Sequence, residues 1–214
     1  SAQREWALYR PGSVDGVTQL QARFVGHVFE RHSHDTYAIG VTTGGVQRFT
    51  CRGARHDGVP GDLILFNPDE PHDGRAGVDE GFRYAMVYVP PVAFGDMLNE
   101  SDGPTATPCF RSPRVHDPAL GRSLLAAMSA MAQGGETLRA QELLAAVLRR
   151  VASRHGSAAP LVANVDAGAC RLTAIREFID AHHSDDLRIE VLATHAGLSR
   201  AHLTRAFTRS FGVA

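Results

Sequence analysis

The last part of the chain, residues 187–214, contains two helical patterns separated by a glycine, and it constrains the fold more than any other segment. Apolar residues recur every three or four positions, first at Ile189, Leu192, Ala193 and Ala196 and then at Leu203, Phe207 and Phe211. Gly197 stands where the chain must turn, and Ser199 is a favourable N-cap for the second helix. The segment therefore predicts a helix-turn-helix.

The second of these helices has a basic exposed face. It carries Arg200, Ala201, Thr204, Arg205 and Arg209, and no acidic residue occurs between Ser199 and Ala214. The whole chain has a formal net charge of -1, so affinity for DNA must come from such a local patch. Periodicity alone leaves a second interpretation open, since two amphipathic helices in an all-helical subdomain would show the same pattern.

This segment resembles the first helix-turn-helix of the AraC family of bacterial transcriptional regulators. The resemblance is carried by Leu187, Leu192, Ala193, Gly197, Leu198, Ser199, Leu203, Arg205, Phe207, Phe211 and Gly212. It implies that Ala201, Thr204 and Arg205 face base edges in the major groove, with Ser199 and Arg200 nearer the DNA backbone. Arg209 extends the same predicted surface. The family carries two such units per chain, whereas this sequence ends near the close of the first, so we expect a truncated chain with weak DNA binding.

Residues from about 17 to 89 consist of short alternating segments broken by turn signals, which predicts a small barrel or sandwich. Tyr37, Ile39 and Val41 alternate before a hairpin candidate at 42–45. Residues 82–89 alternate again, with one face formed by Phe82, Tyr84, Met86 and Tyr88.

The period changes after a stretch at 95–118 that is rich in Pro, Gly, Ser and Thr and is expected to be irregular. Two helical stripes follow, Leu120, Leu124, Ala127 and Met131, and then Leu144, Val147, Leu148 and Val151. Their apolar faces either form a homodimer interface or pack on the barrel, and the sequence leaves both open. Small residues at 156–169 are typical of a linker.

Three histidines lie where a closing barrel could bring them together: His32 and His34 at a strand start, and His72 just past a strand end. Residues 31–40 and 60–74 resemble the two motifs of the cupin barrel, a combination typical of the sensory domain of AraC-type regulators. The predicted effector-binding residues are His32, His34, Tyr37, His72, Tyr84 and Tyr88, which combine hydrogen-bonding groups with an apolar wall.

Three imidazoles are also a sufficient set for zinc or another divalent metal. Metal-binding cupin enzymes usually carry a glutamate four or five residues after the second histidine, where this chain has Ala38 and Ile39. We therefore expect no obligatory cofactor, and a metal at His32, His34 and His72 stays open. No nucleophilic triad, phosphate loop or paired-carboxylate signature occurs, so we expect no enzyme. The alternative is a metal-dependent cupin enzyme, a dioxygenase or isomerase, with a helical appendage.

The expected fold class is α+β. Residues 1–95 form a cupin-like barrel (a double-stranded β-helix or jelly roll), 96–155 a connecting segment and helical hairpin, 156–169 a linker, and 170–214 the first helix-turn-helix. This organisation favours a ligand-responsive, sequence-specific regulator that binds promoter DNA and a small-molecule effector as a homodimer, with RNA polymerase as a further partner. A sensor acting through protein contacts alone stays open. Scattered cysteines without a C-x-x-C pair, and apolar runs too short to span a bilayer, predict a cytoplasmic protein without a membrane partner.

Overall fold

The computed structural model describes residues 4–14, 16–98, 108–133, 137–160, 175–176, 178–179, 187–196, 198 and 200–211. The chain forms two compact units, unit 1 at Ser1–Pro160 and unit 2 at Leu161–Ala214. Among the described helices, none combines the length and the hydropathy that crossing a membrane would require.

Unit 1 begins with nine strands that follow one another along the chain. They are β1 Trp6–Pro11, β2 Thr18–Phe24, β3 Val28–His32, β4 Tyr37–Gly45, β5 Gln47–Cys51, β6 Ala54–Gly58, β7 Asp62–Phe66, β8 His72–Ala76 and β9 Phe82–Val89. The remaining elements of unit 1 are α1 Pro91–Leu98, β10 Pro108–Phe110, β11 Arg114–His116, α2 Pro118–Gln133, α3 Thr137–His155 and β12 Gly156–Pro160.

The strands form two main antiparallel sheets. One has six strands in the order β1-β2-β9-β4-β7-β11, and the other has four in the order β3-β8-β5-β6. Strands that are distant in sequence are neighbours in both sheets, as in a jelly roll. With the helices that follow, this is the predicted α+β architecture.

The inner faces of the two sheets share one hydrophobic core. Its buried members are Leu20, Ala22, Ala38, Phe49, Cys51, Ile64, Phe66, Phe82, Tyr84 and Met86. Tyr88 packs against this cluster, so the face predicted for residues 82–89 is confirmed. Burial of this apolar surface supplies the main stabilisation of the barrel.

The helical stripes of α2 and α3 are buried within the single chain, where the two helices pack together. Helix α2 also contacts β4 and β7. Gly121 allows this close approach, because a Cβ at that position would lie 2.9 Å from Cγ2 of Val41. Helix α3 instead contacts α1, α2, β10 and β12, so both apolar stripes are covered within the chain, and packing on the barrel sheets is seen for α2.

Two expectations about irregular segments are corrected. The stretch at 95–118 includes the end of α1 and the short strands β10 and β11, and the first five residues of the predicted linker form β12. Strand β12 pairs antiparallel with β10, so its hydrogen-bonding partners lie far away in sequence and leave no local signal. Residues 161–169 of that linker lie outside the described residues.

Unit 2 contains α4 Ile189–Ala196 and α5 Arg200–Phe211. Its buried cluster is formed by Ile175, Leu192, Ala193, Ala196 and Leu203. The amide of Leu198 donates to the carbonyl of Ala193 at 2.9 Å and closes the end of α4. Leu192, Ala193, Ala196 and Leu203 of the predicted stripes are therefore buried, Phe207 and Phe211 are partly buried against them, and Ile189 is 37% exposed. Gly197 and Ser199, the predicted turn and cap, lie outside the described residues.

Candidate ligand-binding cavity

A cavity of about 130 Å³ lies between the two sheets of the barrel. The six-stranded sheet contributes Tyr9, Leu20, Tyr84, Met86 and Tyr88 to its wall, and the four-stranded sheet contributes Phe29, His32, Gln47, His72 and Gly74. His34 lines it from the segment between β3 and β4. Polar groups from both sheets therefore converge on one partly open space.

The three predicted histidines meet in this wall. Their ring centroids are 4.5 Å apart for His32 and His72, 5.0 Å for His32 and His34, and 5.3 Å for His34 and His72. One ring nitrogen from each lies within 4.8 Å of the others. The register of the sheet explains the meeting, because His32 of β3 pairs directly with His72 of β8.

Backbone carbonyls fix the orientation of two of these rings. Nδ1 of His32 donates to the carbonyl of Glu30 at 2.7 Å, and Nδ1 of His72 donates to the carbonyl of Glu70 at 2.9 Å. A carbonyl oxygen only accepts, so both Nδ1 atoms carry the proton and Nε2 of each neutral ring is a hydrogen-bond acceptor.

Burial keeps His34 and His72 neutral. It lowers the pKa of His34 to about 4, and the charge of a protonated His32 would lower it further. Burial likewise lowers the pKa of His72 to about 4, against the opposing effect of its bond to Glu70. Both rings are therefore uncharged at pH 7.

Tyr84 and Tyr88 present phenol groups to the same space. Burial raises the pKa of both hydroxyls far above the usual range, so both stay protonated. The ring of Tyr88 lies 4.9 Å from that of His34 and stacks on Tyr9 of β1 with centroids 6.2 Å apart. Strand β1 thus covers part of the cavity.

The prediction that Tyr37 faces this cavity is wrong. Its fully buried ring packs against Phe94 and Phe110, with centroids 4.6 and 5.4 Å away, and its hydroxyl donates to the carbonyl of Pro108 at 2.8 Å. Alternation correctly placed Tyr37 on one face with Ile39 and Val41, but this is the outer face of β4. The inner face carries Ala38.

Several wall residues were not predicted, among them Phe24, Phe29, Gln47 and Asp73. Gln47 is 7% exposed, and its Oε1 atom has no hydrogen-bond partner among the described residues. The period of two along β5, which places Gln47 with Phe49 and Cys51, could have revealed it. The described wall contains no arginine or lysine.

The predicted DNA-contacting residues lie in unit 2 and are described in part. Arg200, Thr204 and Arg205 are exposed on α5. Arg200 forms an ion pair of 2.7 Å with Glu190, and such exposed pairs exchange readily for other partners. Ser199 and the side chains of Ala201 and Arg209 lie outside the described residues.

Unit 2 also has a larger hollow of about 670 Å³, bordered mainly by apolar side chains such as Ile175, Leu192 and Phe207. Its polar members are Arg176 and Thr204. The smaller barrel cavity is the better candidate for a ligand site, because several hydrogen-bonding groups converge there.

Residues 16–148 match the family model of the AraC-like ligand binding domain. The chain belongs to this family. The match spans the barrel from β2 onward and most of the helical hairpin, so all of the cavity wall except the part from β1 lies inside a domain type that binds ligands. This match agrees with the expectation from the sequence of a regulator's ligand-binding domain and not an enzyme.

A curated relative is an uncharacterized HTH-type transcriptional regulator, YbfI, from Bacillus subtilis strain 168. It is 26% identical over 185 residues, which cover 86% of this chain and 67% of that protein. Similar solved structures include a conserved protein of unknown function from Streptococcus pyogenes, with a TM-score of 0.36, 19% identity and coverage of 42% of this chain and 78% of that one. An oxalate decarboxylase variant from Bacillus subtilis has a TM-score of 0.37 and 22% identity, covering 40% and 25%. These structural similarities are partial and carry no argument about function.

Proposed function

We propose that this chain is a ligand-responsive, sequence-specific DNA-binding transcriptional regulator of the AraC type. An effector binds in the barrel cavity, and promoter DNA binds the exposed face of α5. The main support is the cavity with converging histidine and tyrosine groups, in an AraC-like ligand-binding domain followed by the helices α4 and α5. Effector binding would shift the population of the DNA-binding form.

The cavity suits an effector of about one ring. An apolar cavity of about 150 Å³ holds one benzene molecule, and this cavity is close to that size. Asp73 lies in the wall, and no arginine of the described wall compensates a ligand anion there. The Nε2 atom of the neutral His72 ring can accept a hydrogen bond from a ligand. We therefore propose an uncharged, single-ring effector that carries a hydroxyl group.

Calorimetric titration with phenol, anisole and benzoate tests this chemistry. Phenol offers a donor, anisole lacks it, and benzoate carries a charge, so phenol is expected to bind at least roughly tenfold more tightly than either. Tyr88→Phe removes a hydroxyl from the cavity and should weaken phenol binding. Tyr37→Phe is the matched control, because its hydroxyl bonds to Pro108 outside the cavity. Benzoate binding as tight as phenol binding would refute the proposed effector class.

DNA binding is tested in the full-length protein by mobility shift on its own upstream region. Arg205→Ala should weaken operator binding by about 1–3 kcal/mol and relax the base preference, with a smaller effect on random DNA. Arg200→Ala is the control, because a residue near the DNA backbone should weaken binding to all sequences alike. Equal losses on operator and random DNA for Arg205→Ala would mean that this arginine contacts phosphate alone. A lack of any shift would favour a sensor that acts through protein contacts.

The three histidines also fit a divalent metal. Rings whose Nδ1 atoms donate to carbonyls, leaving Nε2 free, have the arrangement usual for metal ligands. His32, His34 and His72 would hold the ion, which would supply a Lewis-acid anchor for an effector oxygen. Elemental analysis of purified protein tests this, with zinc expected in substoichiometric amounts. Stoichiometric iron together with turnover of a small molecule would support the alternative of a metal-dependent cupin enzyme.

We further propose a homodimer, since one helix-turn-helix makes few base contacts and regulators commonly pair two. The dimer would use a surface other than the stripes of α2 and α3, which are already buried. Contact with RNA polymerase and a cytoplasmic location belong to the same proposal. Sedimentation analysis would measure the oligomeric state.

A further inference from the structure

The loop between β7 and β8, residues 67–71, touches two of the cavity histidines through backbone hydrogen bonds. The carbonyl of Glu70 accepts from Nδ1 of His72 at 2.9 Å, and the amide of Asp69 donates to the carbonyl of His34 at 2.6 Å. His72 also stacks on Phe66 at the end of β7, with centroids 3.7 Å apart. A displacement of either histidine therefore changes the hydrogen bonds of this loop.

The other side of the loop forms hydrogen bonds with the end of β10. Asn67 is 7% exposed, and its side chain brackets the backbone of Phe110: Oδ1 accepts from the amide at 2.8 Å and Nδ2 donates to the carbonyl at 3.3 Å. Asn67 and Phe110 are 43 positions apart, so this is a tertiary contact. A buried amide paired with both groups of one residue holds that residue in one place.

An ion pair reinforces the same connection. The carboxylate of Glu70 accepts from the amide of Asn67 at 3.0 Å and from Nε of Arg52. Arg52 also donates to the carbonyl of Phe110 at 2.8 Å and to that of Arg111 at 2.6 Å. These charge-assisted bonds fix the guanidinium between the loop and β10.

Backbone strain concentrates in this network. Arg52, with φ of 53°, and Asp69, with φ of 60°, are the non-glycine residues with positive φ in the described part of the chain. A non-glycine residue in this region costs of order 1 kcal/mol and persists where the surrounding contacts demand it. Both residues belong to the connection between the cavity and β10.

Strand β10 leads to the end of unit 1. Phe110 pairs with Gly156 of β12, and the amide of Arg111 donates to the carbonyl of His155 at 3.2 Å. Strand β12 ends at Pro160, and the chain then continues into unit 2. An unbroken series of hydrogen bonds thus runs from the cavity wall to the last strand of unit 1.

We propose that Asn67, Glu70 and Arg52 are positioning residues that transmit the occupancy of the cavity, through Phe110, to strands β10 and β12. This proposal rests on the function proposed above and adds the route by which the effector acts. A ligand that displaces His72 also displaces the carbonyl of Glu70, and with it the side chain of Asn67 that bonds to the backbone of Phe110. The free energy of local opening of β12, the last strand before unit 2, then changes with the occupancy of the cavity.

Amide hydrogen exchange in the complete chain tests the route without any ligand. His72→Phe keeps an aromatic ring but removes the bond to Glu70, and it should speed exchange of the Phe110 and Arg111 amides about fivefold. His32→Phe is the matched control. It changes the same residue type in the same cavity and removes an equivalent bond, to Glu30, that does not involve the loop. Exchange at Phe110 should then stay as in the unchanged protein.

A second variant gives an independent result. Arg52→Met keeps the side-chain stem and removes the three guanidinium nitrogens that bond to Glu70, Phe110 and Arg111. When it is combined with His72→Phe, exchange of the Phe110 amide should accelerate by less than the product of the two single effects, because both changes break the same route. Equal acceleration by His72→Phe and His32→Phe, or none by either, would overturn the route. Neither result depends on DNA or effector. Failure of the proposed function would appear instead as a lack of DNA binding or of ligand binding with normal exchange behaviour.

Discussion

Acid should destabilise unit 1 through its buried histidines, in a pH range where most carboxylates are still ionised. The pKa of His72 is about 4 in the folded chain and 6.5 in the unfolded chain. The unfolded state therefore takes up a proton first as the pH falls, and folding stability decreases below about pH 6.5 until the folded state is also protonated near pH 4. Between pH 8 and pH 5, His72 should lower the free energy of unfolding by about 2 kcal/mol.

His34 acts in the same direction, because its pKa is also about 4. Its contribution should be smaller, since its ring is partly exposed and solvent screens the charge. Asp62 behaves oppositely. Burial alone would raise its pKa, but bonds from the Val59 amide, Arg114 and His116 lower it below the ordinary 3.8. Its stabilising effect is present at neutral pH and is lost only as the pH falls below about 4, outside the proposed range.

Urea unfolding followed by circular dichroism at pH 8, 7, 6 and 5 measures the effect, with a chelator present to keep the histidines free of metal. His72→Phe should reduce the loss of stability between pH 8 and pH 5 by about 2 kcal/mol. Tyr37→Phe, a change of a buried ring in unit 1 that involves no histidine, is the control for a general loss of stability. If His72→Phe retained the full pH dependence of the unchanged protein, a neutral, buried His72 would be refuted.

Two further predictions concern the barrel. Asp62→Asn should lower the free energy of unfolding by about 2 kcal/mol at pH 7, because the Asp62 carboxylate of β7 lies 2.7 Å from Nη1 of Arg114 and 2.7 Å from Nδ1 of His116, both on β11. Asp57→Asn, on the exposed edge strand β6, is the control and should cost less than about 1 kcal/mol in the same urea titration. Gly45→Ala should cost more than Gly53→Ala in thermal unfolding. Both glycines have positive φ and share a cost of about 1 kcal/mol, but a Cβ at Gly45 would lie 1.9 Å from the carbonyl of Gly81, whereas Gly53 faces open space. Equal losses for the two would contradict the described turn.

Local patterns predicted the elements of this fold well. The period of two at 82–89 and the period of 3.6 in α2, α3 and α5 reflect burial of one face, and a buried face leaves its mark on the sequence itself. The histidines could be found because they flank recognisable strands. Their meeting also needed a register, His32 opposite His72, that a motif resemblance can supply and periodicity cannot.

Long-range partners account for what the sequence did not predict. Alternation grouped Tyr37 with Ile39 and Val41, but both faces of β4 are buried, so hydrophobicity could not tell the cavity side from the helix side. Asn67 stands in a loop of Pro, Asp and Glu, where an asparagine is ordinary. Its buried role depends on Phe110, whose position only the folded chain defines.

The pairing of β10 with β12 has a consequence for how this domain can vary. Residues 111–155, which include β11 and the hairpin of α2 and α3, begin after Phe110 of β10 and return beside it at Gly156 of β12. Pairing of β10 with β12 holds the two ends of this segment together. The segment can therefore change in length without a change in the position of β12, where unit 1 ends. Because closing a longer loop adds little free energy once its ends are held, insertions or deletions between α2 and α3 should be tolerated without moving that junction. The hairpin can thus change in size among relatives while the sensor keeps a constant point of attachment for the segment that follows.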